Sequence, residues 1–378
     1  MPITFVWLMK KVDLSHLSLV NFKNYDDLDL RFGPSLNCFV GNNGEGKTNV
    51  LDAIYYLAFC KSYFNPVDSQ NIRNEEDFFV VQGGFQMENQ ALDIFCGIKK
   101  GQKKSFKRDK KVYEKLSEHI GLIPLVMISP SDISLILEGS DVRRKFVDSV
   151  ISQFDKTYLD DLLNYQKALV QRNALLRSFA ENRFFEKDSL EIWDQQLIQY
   201  GRPIFEGRKK FLEEFIPLFQ SFFSEVSLGR DEVHLEYQSG LLENDFSELL
   251  SETLDKDRAL KYTSSGIHKD DMIFQLSGKP LKKFGSQGQQ KSFLVALKLA
   301  QFAFIREKKQ TMPLLLLDDI FDKLDEDRVA QIIHIVGSPD FGQIFITDTS
   351  QARMEEILRR IGKEFNLYNV AEGKVQKT

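Results

Sequence analysis

The sequence predicts an α/β protein whose α/β part is divided by an inserted, mainly helical arm. Three observations support this fold class. A short apolar run leads through a glycine-rich loop into a helical pattern, apolar residues then recur at helical spacing between Tyr158 and Phe222, and strands alternate with helices again after about residue 262. A length of 378 residues suits about two domains.

The predicted elements follow from periodicity. Partial alternation predicts a strand over residues 12–20, an apolar run predicts another over residues 36–40, and helical spacing predicts a helix over residues 49–61. Alternating segments after that helix indicate β-hairpins with a turn at Gly101. The remaining predicted elements are strands over 78–85, 91–98, 105–113, 313–317 and 343–347, and a helix over 286–306.

These elements predict the domain boundaries. We expect the α/β domain to comprise residues 12–148 and 262–378, and the helical arm to comprise residues 149–261. Residues 1–11 are expected to form a tail, because Met9 and the two lysines after it look like an alternative start. The arm contains Pro203 and Pro217 within its helical pattern, so a kink or break is expected at each.

Composition excludes several classes of protein. Hydrophobic residues make up 42% and charged residues 28%, close to the globular average, so the chain is not disordered overall. No apolar run approaches the roughly 18 residues that a membrane span needs. Three cysteines form no close pairs, which excludes a disulfide framework and a cysteine zinc site and favours a reducing cytoplasm.

The glycine-rich loop carries the clearest chemical signal. Residues 41–48 read GNNGEGKT and match G-x-x-x-x-G-K-[ST] in full. Backbone N–H groups of such a loop face a phosphate, the lysine places a cation on the β- and γ-phosphates, and the hydroxyl of the last residue ligates Mg²⁺. The predicted nucleotide-binding residues are Gly41, Asn42, Asn43, Gly44, Glu45, Gly46, Lys47 and Thr48.

Two further segments complete this pattern. An apolar strand ends in Asp318 and Asp319; we expect Asp318 to hold Mg²⁺ through water and Asp319 to orient or deprotonate an attacking water. A loop with Ser286, Gly288 and Gln289 precedes the predicted long helix. Ser286 and Gln289 form a capping box, and the exposed helix N-terminus is also an anion site. This loop resembles the signature motif of ABC-type ATPases, which contacts the γ-phosphate bound by a partner subunit.

Glycine-rich loop, signature and acidic strand, separated by an insertion, resemble the SMC-like branch of the ABC-type ATPases. Other segments are similar to the RecF family of bacterial DNA repair proteins, from about residue 12 to the C-terminus. The resemblance implies an ABC-type P-loop ATPase head split by a helical arm domain. The segments that carry it are residues 21–25, 41–55, 129–132, 143–146, 171–176 and 192–197, with Gly201 beyond.

Several positions depart from the family pattern. Residues 266–269 read Gly-Ile-His-Lys where the family has Gly-Pro-His-Arg, so Lys269 lacks the bidentate phosphate contact of an arginine. His268 could be a ligand, but a lone loop histidine is more often a solvated side chain, and we expect the latter. Cys60 stands where a glycine is usual, and residues 347–349 contain no switch histidine of the transporter-ATPase kind.

The resemblance also implies a function. It implies a homodimer that assembles on ATP and Mg²⁺, binds DNA without sequence preference, and hydrolyses ATP slowly. The implied task is recombinational DNA repair and replication restart at gapped DNA, with RecA loading aided by RecO- and RecR-type mediators and with support of the SOS response. The composite site would join Lys47, Thr48, Asp318 and Asp319 of one subunit to Ser286 and Gly288 of the other.

Charge distribution locates a candidate DNA contact. The net charge is −5, but residues 99–115 contain nine basic and two acidic residues, a local net charge of +7. Contacts from lysine and arginine to phosphates carry no sequence information, which suits a sequence-independent binder. Lysines on an edge hairpin also deter aggregation, which is the other interpretation of this segment. The predicted DNA-binding residues are Lys103, Lys104, Lys107, Arg108, Lys110 and Lys111.

Three alternative functions are compatible with parts of this pattern. A transporter-type ATPase subunit would need a switch histidine. An SMC-like structural protein would need hundreds of heptad residues in its insertion, and about 110 are available. A nucleotide-gated scaffold that hardly hydrolyses ATP is not distinguished from a RecF-like protein by sequence.

Overall fold

The computed structural model describes residues 9–88, 90–321 and 324–378 and contains two compact units. One combines the chain up to Asp132 with Phe222–Gly229 and Gln287–Thr378, and the other comprises Ile133–Ser221 and Arg230–Ser286. The second unit thus begins before and ends after the predicted arm of residues 149–261. Most of the predicted tail, and with it the choice between Met1 and Met9, lies outside the described residues.

Strands and helices are numbered here in chain order. The strands are β1 (Lys10–Phe22), β2 (Tyr25–Arg31), β3 (Leu36–Val40), β4 (Phe78–Met87), β5 (Gln90–Lys99), β6 (Ser105–Arg108), β7 (Lys111–Val112), β8 (Leu125–Ile128), β9 (Val233–Gln238), β10 (Asp271–Leu276), β11 (Lys279–Pro280), β12 (Thr311–Met312), β13 (Leu314–Asp318), β14 (Ile344–Asp348), β15 (Phe365–Ala371) and β16 (Lys374–Lys377). The helices are α1 (Lys47–Phe59), α2 (Ser134–Leu137), α3 (Ser140–Ser152), α4 (Lys156–Asn182), α5 (Lys187–Ser227), α6 (Phe246–Glu252), α7 (Leu254–Leu260), α8 (Leu281–Phe284), α9 (Gln287–Lys309), α10 (Glu326–Gly337) and α11 (Gln351–Ile361).

The first unit is built on a six-stranded sheet with the order β16-β15-β3-β14-β13-β8. All neighbours are parallel except the β15–β16 pair. Strands β3, β8, β13 and β14 are buried along their whole length, as is usual for parallel strands covered on both faces. Their register places Val40, Asp318 and Thr347 at the same edge of the sheet. The loop after β3 therefore lies beside the acidic end of β13.

A second sheet in this unit is mainly antiparallel. Its order is β12-β1-β4-β5-β6-β7, with β2 paired to β1. Helix α1 contacts strands of both sheets and is buried from Val50 to Phe59. This stretch is apolar apart from Asp52, whose buried carboxylate pairs with Lys23 at 2.6 Å, and such a helix belongs in an interior position. Helix α1 is thus a fixed rod that starts at the glycine-rich loop.

The other unit combines long helices with a three-stranded antiparallel sheet, β11-β10-β9. A kink or break was predicted at Pro203 and Pro217; helix α5 continues through both, so the break is wrong, and the kink stays a prediction. Each proline removes one backbone hydrogen bond. Buried apolar residues on both sides of each proline, Leu197, Ile204, Phe211, Phe215 and Phe219, hold the helix in one packed piece.

Buried ion pairs explain several segments that carried the family resemblance. Arg172 is fully buried and contacts Asp194 and Asp257, with nitrogen–oxygen distances of 2.5 and 2.6 Å. Arg208 is held in the same way by Asp148 and Asp270, at 3.0 and 2.8 Å. Removing one member would leave an uncompensated buried charge. These residues hold the second unit together.

The histidine expected to be solvated is partly buried and hydrogen-bonded on both ring nitrogens. The His268 ring hydrogen-bonds to the Tyr165 hydroxyl at 2.8 Å and to the Thr263 carbonyl oxygen at 3.0 Å. Burial lowers its pKa to about 4, so the ring is neutral at pH 7. Its sequence neighbour Lys269 lies 5.0 Å from the centre of the Tyr262 ring.

The same part of the fold explains the basic pair at the start of α3. Arg143 forms a bidentate ion pair with Asp271, at 2.7 and 2.9 Å, and Arg144 donates to the Asp270 carbonyl oxygen. Both arginines are engaged within the second unit. Among the described residues, no helix is long and apolar enough to span a membrane.

Candidate functional site

The glycine-rich loop joins β3 to α1 at the edge of the parallel sheet. Gly46 occupies the left-handed region, with φ of 112°, directly before the first helical residue. A side chain there would overlap Asn24 and the Tyr25 hydroxyl. Glycine is therefore required at this position by backbone conformation and by close approach.

Lys47 lies inside the loop rather than in solvent. Its ammonium group donates to the carbonyl oxygens of Gly41 and Asn42, both at 2.7 Å, and the residue is 6% exposed. Burial lowers its pKa below the usual lysine value, while the nearby carboxylates of Asp319 and Asp318 oppose the shift. The ammonium group is thus held beside the cavity in which a phosphate would bind.

Asp318 sits at the end of β13 and is hydrogen-bonded from several sides. Its Oδ1 accepts from Thr48 Oγ1 and from Thr347 Oγ1, each at 2.8 Å, and its Oδ2 accepts from Ser129 Oγ at 3.4 Å. Burial raises the pKa of this carboxyl, the hydroxyl donors lower it, and neighbouring Asp319 raises it. Two predicted Mg²⁺ ligands, Thr48 and Asp318, are therefore in direct contact although 270 positions separate them.

Asp319 follows with φ of 46°, a left-handed conformation that aspartate tolerates better than most residues. Its backbone N–H donates to Thr347 Oγ1 at 3.0 Å. A cavity of about 170 Å³ opens between this residue and the loop. It is lined by Asn43, Gly44, Gly46, Lys47, Thr48, Asn49, Asp319 and Thr347.

Supporting residues that sequence reasoning did not assign surround the loop. The Tyr25 hydroxyl donates to the Gly46 carbonyl oxygen at 3.0 Å, and Asn24 Nδ2 donates to the Glu45 carbonyl oxygen at 3.0 Å. Asn49 Nδ2 in turn donates to Asn24 Oδ1 at 2.7 Å. The turn between β1 and β2 thus fixes the loop from outside. The only sign of this role in the sequence was that the turn lies in residues 21–25, a segment that resembles the family.

A buried lysine on α9 was also missed. Lys298 Nζ lies 2.8 Å from Asp132 Oδ1 and donates to the Met127 carbonyl oxygen at 3.1 Å. The Tyr63 hydroxyl donates to the same Asp132 carboxylate. This cluster fixes the segment after β8, which includes Ser129. A lone lysine within an apolar helical stretch was the available signal.

The signature residues lie at the beginning of α9. Ser286 is exposed and immediately precedes the helix, the position expected of a capping residue. A Cβ atom at position 288 would lie only 2.7 Å from the Arg328 guanidinium. Gly288 has no Cβ atom and therefore allows the guanidinium to pack against the backbone. Arg328 is itself paired with Asp325 at 3.0 Å.

Residues 99–115, called the basic hairpin below, end the antiparallel sheet. Strands β6 and β7 are joined by a two-residue turn, Asp109-Lys110, with positive φ at both positions. Exposed members of the predicted DNA-binding set are Lys103, Arg108, Lys110 and Lys111. Lys107 is half-buried, with its ammonium 5.1 Å from the centre of the Phe95 ring.

Lys104 differs from the rest of this set. Only 15% of its side chain is exposed, and its ammonium group lies 2.8 Å from Asp68 Oδ2 and donates to the Cys60 carbonyl oxygen at 2.6 Å. A lysine engaged in this way has little freedom to reach a phosphate. The geometry therefore favours an internal role for Lys104.

No cluster of three or more histidine, cysteine, aspartate or glutamate ligands occurs within the described part of the chain. Mg²⁺ does not require one, since it is usually held by one or two protein oxygens together with phosphates and water. Thr48 Oγ1 and Asp318 Oδ1 provide such a pair. The donor set fits Mg²⁺ bound with a nucleotide.

Comparisons with known proteins agree with this geometry. The family model described as the RecF/RecN/SMC N terminal domain matches residues 13–371. The DNA replication and repair protein RecF of Flavobacterium johnsoniae is 55% identical over 94% of this chain and 99% of its own length, and that of Phocaeicola vulgatus is 50% identical over 96% and 97%. A solved structure of the recombination mediator protein RecF with ATP, from the RecFOR pathway, has 29% identity and a TM-score of 0.87, covering 97% of this chain and 98% of that one. The chain belongs to the RecF family of DNA replication and repair proteins and has the fold of its ATPase head, split by an inserted helical unit.

Proposed function

We propose that this protein is a recombination mediator of DNA repair and replication restart that binds DNA under the control of ATP. The observation that carries the proposal is the contact between Thr48 and Asp318 beside the buried ammonium group of Lys47. A glycine loop, a Mg²⁺ ligand pair and a lysine together form a triphosphate site. Membership of the RecF family supports the choice of DNA as the partner.

Each residue of the site has a role in this proposal. Lys47 neutralises the β- and γ-phosphates, and Thr48 and Asp318 hold Mg²⁺, which offsets the charge of the triphosphate. Asp319 orients the attacking water or accepts its proton, at the mouth of the cavity. Hydrolysis is proposed to be slow and to act as a switch.

The signature supports a dimer in which the nucleotide joins two copies. Ser286 is exposed at the beginning of the 23-residue helix α9, where backbone N–H groups favour an anion. Ser286 and Gly288 of one copy would contact the γ-phosphate bound by Lys47 of the other. ATP then stabilises the dimer by mass action, and hydrolysis releases it.

DNA is proposed to bind along the basic hairpin through Lys103, Lys107, Arg108, Lys110 and Lys111. These residues offer positive charge along one segment, and contacts from such charges to phosphates carry no sequence information. The cellular partners proposed from the family are RecO- and RecR-type mediators, with RecA loading and SOS support as the outcome. Three buried free thiols fit a reducing cytoplasm.

Two of the alternative functions lack a supporting observation, and the third, a nucleotide-gated scaffold, differs from the proposal only in its rate of ATP hydrolysis. Helices α4 and α5 span 27 and 41 residues, far short of the extended heptads of an SMC arm. The position after the buried Asp348 is Thr349 rather than a switch histidine. Asp348 instead forms an ion pair with Arg353 at 2.7 Å.

Light scattering with and without ATP tests the dimer. We expect ATP to double the apparent mass of the wild type, and gapped duplex DNA to bind the dimer. Ser286→Arg should bind ATP with unchanged affinity and remain monomeric, because a bulky cation blocks contact with the other copy. Lys282→Arg, a charge-conserving change at an exposed site four residues earlier, is the matched control. Dimerisation of Ser286→Arg on ATP would refute the composite site.

A further inference from the structure

The C-terminal end of α1 is held by two side chains from a distant part of the chain. The last four carbonyl groups of a helix lack intrahelical partners and need others. At the end of α1, the N–H of the capping residue Cys60 donates to the Tyr56 carbonyl, and the Leu57 carbonyl accepts from His119 Nε2 at 2.7 Å. The carbonyl of Cys60, directly after the helix, accepts from Lys104 Nζ at 2.6 Å. Lys104 lies in the basic hairpin, and His119 lies four residues after it.

Lys104 is anchored on three sides. Besides the Cys60 carbonyl it contacts Asp68 at 2.8 Å, and its ammonium lies 5.0 Å from the centre of the Tyr56 ring. The Tyr56 hydroxyl donates to the same Asp68 carboxylate. A cation at a helix C-terminus also interacts favourably with the helix dipole. Lys104 thus joins the hairpin to the last turn of α1.

His119 forms a second link. A carbonyl oxygen can only accept, so Nε2 carries the proton donated to Leu57, and Nδ1 accepts from the Tyr113 hydroxyl at 3.0 Å. Burial lowers the pKa of His119 to about 4, which keeps this neutral form at pH 7. Tyr113 belongs to the basic hairpin, and its N–H donates to the Phe106 carbonyl at 3.1 Å. A displacement of Tyr113 in the hairpin would therefore be transmitted to Leu57 of α1 through the two hydrogen bonds of the His119 ring.

The opposite end of α1 is the nucleotide site. Lys47 and Thr48 are its first two residues, and 13 residues of helix span about 20 Å. Because the helix is buried between two sheets, its two ends cannot shift independently. A contiguous path of hydrogen bonds and one rigid helix connects the basic hairpin with the site that binds phosphate.

We propose that Lys104 and His119 are positioning residues that couple DNA at the basic hairpin to the nucleotide at the start of α1. The inference deepens the proposed function and rests on it. Adjacent lysines then have different tasks: exposed Lys103 contacts DNA phosphate, and internal Lys104 transmits its effect. Coupling between two ligands is reciprocal, so ATP must raise DNA affinity by the same factor by which DNA raises ATP affinity.

A binding cycle on the full chain tests this assignment. The affinity for fluorescein-labelled gapped duplex is measured by anisotropy with and without ATPγS, and the affinity for ATPγS with and without the same DNA. We expect a wild-type coupling factor within the range of about 5 to 150. Lys104→Met keeps the apolar stem and removes the charge; its coupling factor should fall to within about twofold of one. Its ATPγS affinity without DNA and its salt dependence of DNA binding should match the wild type.

Lys103→Met is the matched control. It should lower the slope of log affinity against log salt by about 0.9 and keep the wild-type coupling factor. Lys104→Arg should restore coupling, and Tyr113→Phe, which removes only one hydroxyl, should reduce it in part. Thermal unfolding of each variant checks the fold; if Lys104→Met melts well below the wild type, Tyr113→Phe provides the deciding measurement.

Two failures are distinguishable. A Lys104→Met protein with the wild-type coupling factor, or with the salt slope of Lys103→Met, overturns the inference and leaves the proposed function intact. A wild type that binds no DNA, or binds it equally with and without ATPγS, overturns the proposed function and the inference together.

Discussion

The glycine loop and the basic hairpin both present positive charge, but they are built on opposite principles. In the loop, one buried lysine is fixed by two carbonyl oxygens, and Gly41 and Gly46 stand where a side chain would overlap neighbouring atoms. In the hairpin, several lysines lie on an exposed edge. The loop depends on geometry and the hairpin on the sum of its charges.

This difference predicts how each region responds to change. A buried charge held at short distances acts almost alone, so its loss is felt in full. Exposed charges act through water and salt, so each contributes little and several must be removed together. Lys104 stands between the two classes, since it lies in the hairpin sequence but is held like a loop residue.

The largest effect is expected from Lys47→Ala. Loss of this cation should weaken nucleotide binding by about 3–5 kcal/mol, or roughly 100-fold or more, as for truncation of a buried charged partner. Isothermal titration with ATP and Mg²⁺ measures the change. Thr48→Ser, which keeps the hydroxyl, is the control and should bind with near wild-type affinity. Binding by Lys47→Ala within fivefold of the wild type would contradict a geometric site.

A smaller effect is expected when four hairpin charges are neutralised together. The variant with Lys103, Lys107, Lys110 and Lys111 changed to Gln should bind duplex DNA roughly 30- to 100-fold more weakly, with a salt slope lower by about 0.9 per lost contact. Each single change should cost only a few fold. Anisotropy titrations at several salt concentrations give both quantities.

The matched control makes the same change in net charge elsewhere. It replaces four exposed lysines of the second unit, Lys209, Lys210, Lys256 and Lys261, with Gln. If this control lowers the salt slope as much as the hairpin variant does, net charge rather than the hairpin determines DNA affinity.

The smallest effect is expected from the protonation of His119, which links the basic hairpin to α1. Burial lowers the pKa of His119 to about 4 from an ordinary value of 6.5, so its stabilising contribution is complete above pH 6.5 and is lost as the pH falls towards 4. Between pH 7.5 and 5.0 this group should cost about 2 kcal/mol of unfolding free energy. Urea unfolding of the wild type and of His119→Gln at both pH values isolates the effect, because His268, whose pKa is also lowered, is common to both proteins. An identical pH dependence in the two proteins would contradict a neutral, buried His119.

The loop and the acidic strand could be predicted from sequence because their chemistry is local. The glycine-rich segment before Lys47 and the two carboxylates after an apolar strand can be recognised in the sequence without knowledge of the fold. Their meeting depends on the register of β13 with β14, which pairs Asp318 with Thr347. That register arises from the whole sheet, so the role of Thr347 was invisible in the sequence.

The arm was predicted less well for a related reason. The segment Val233–Gln238 alternates between buried and exposed residues and forms β9, yet it lies in a region whose strongest signal is helical. Pro203 and Pro217 are local breakers that tertiary packing overrides in α5. Lys104 shows the same limit within a charge run, since composition cannot separate an internal lysine from its exposed neighbour.

Strand β15 has a consequence for protein synthesis. Strand β15 lies beside β3, the Val370 carbonyl fills the space where a side chain on Gly41 would stand, and the Glu372 N–H donates to the Glu45 carboxylate. The ribosome makes Val370 only 329 residues after Gly41. A nascent chain therefore carries the complete loop motif long before β15 can pack against it. A product that ends before Val370 would keep the motif but lack the strand that supports the loop.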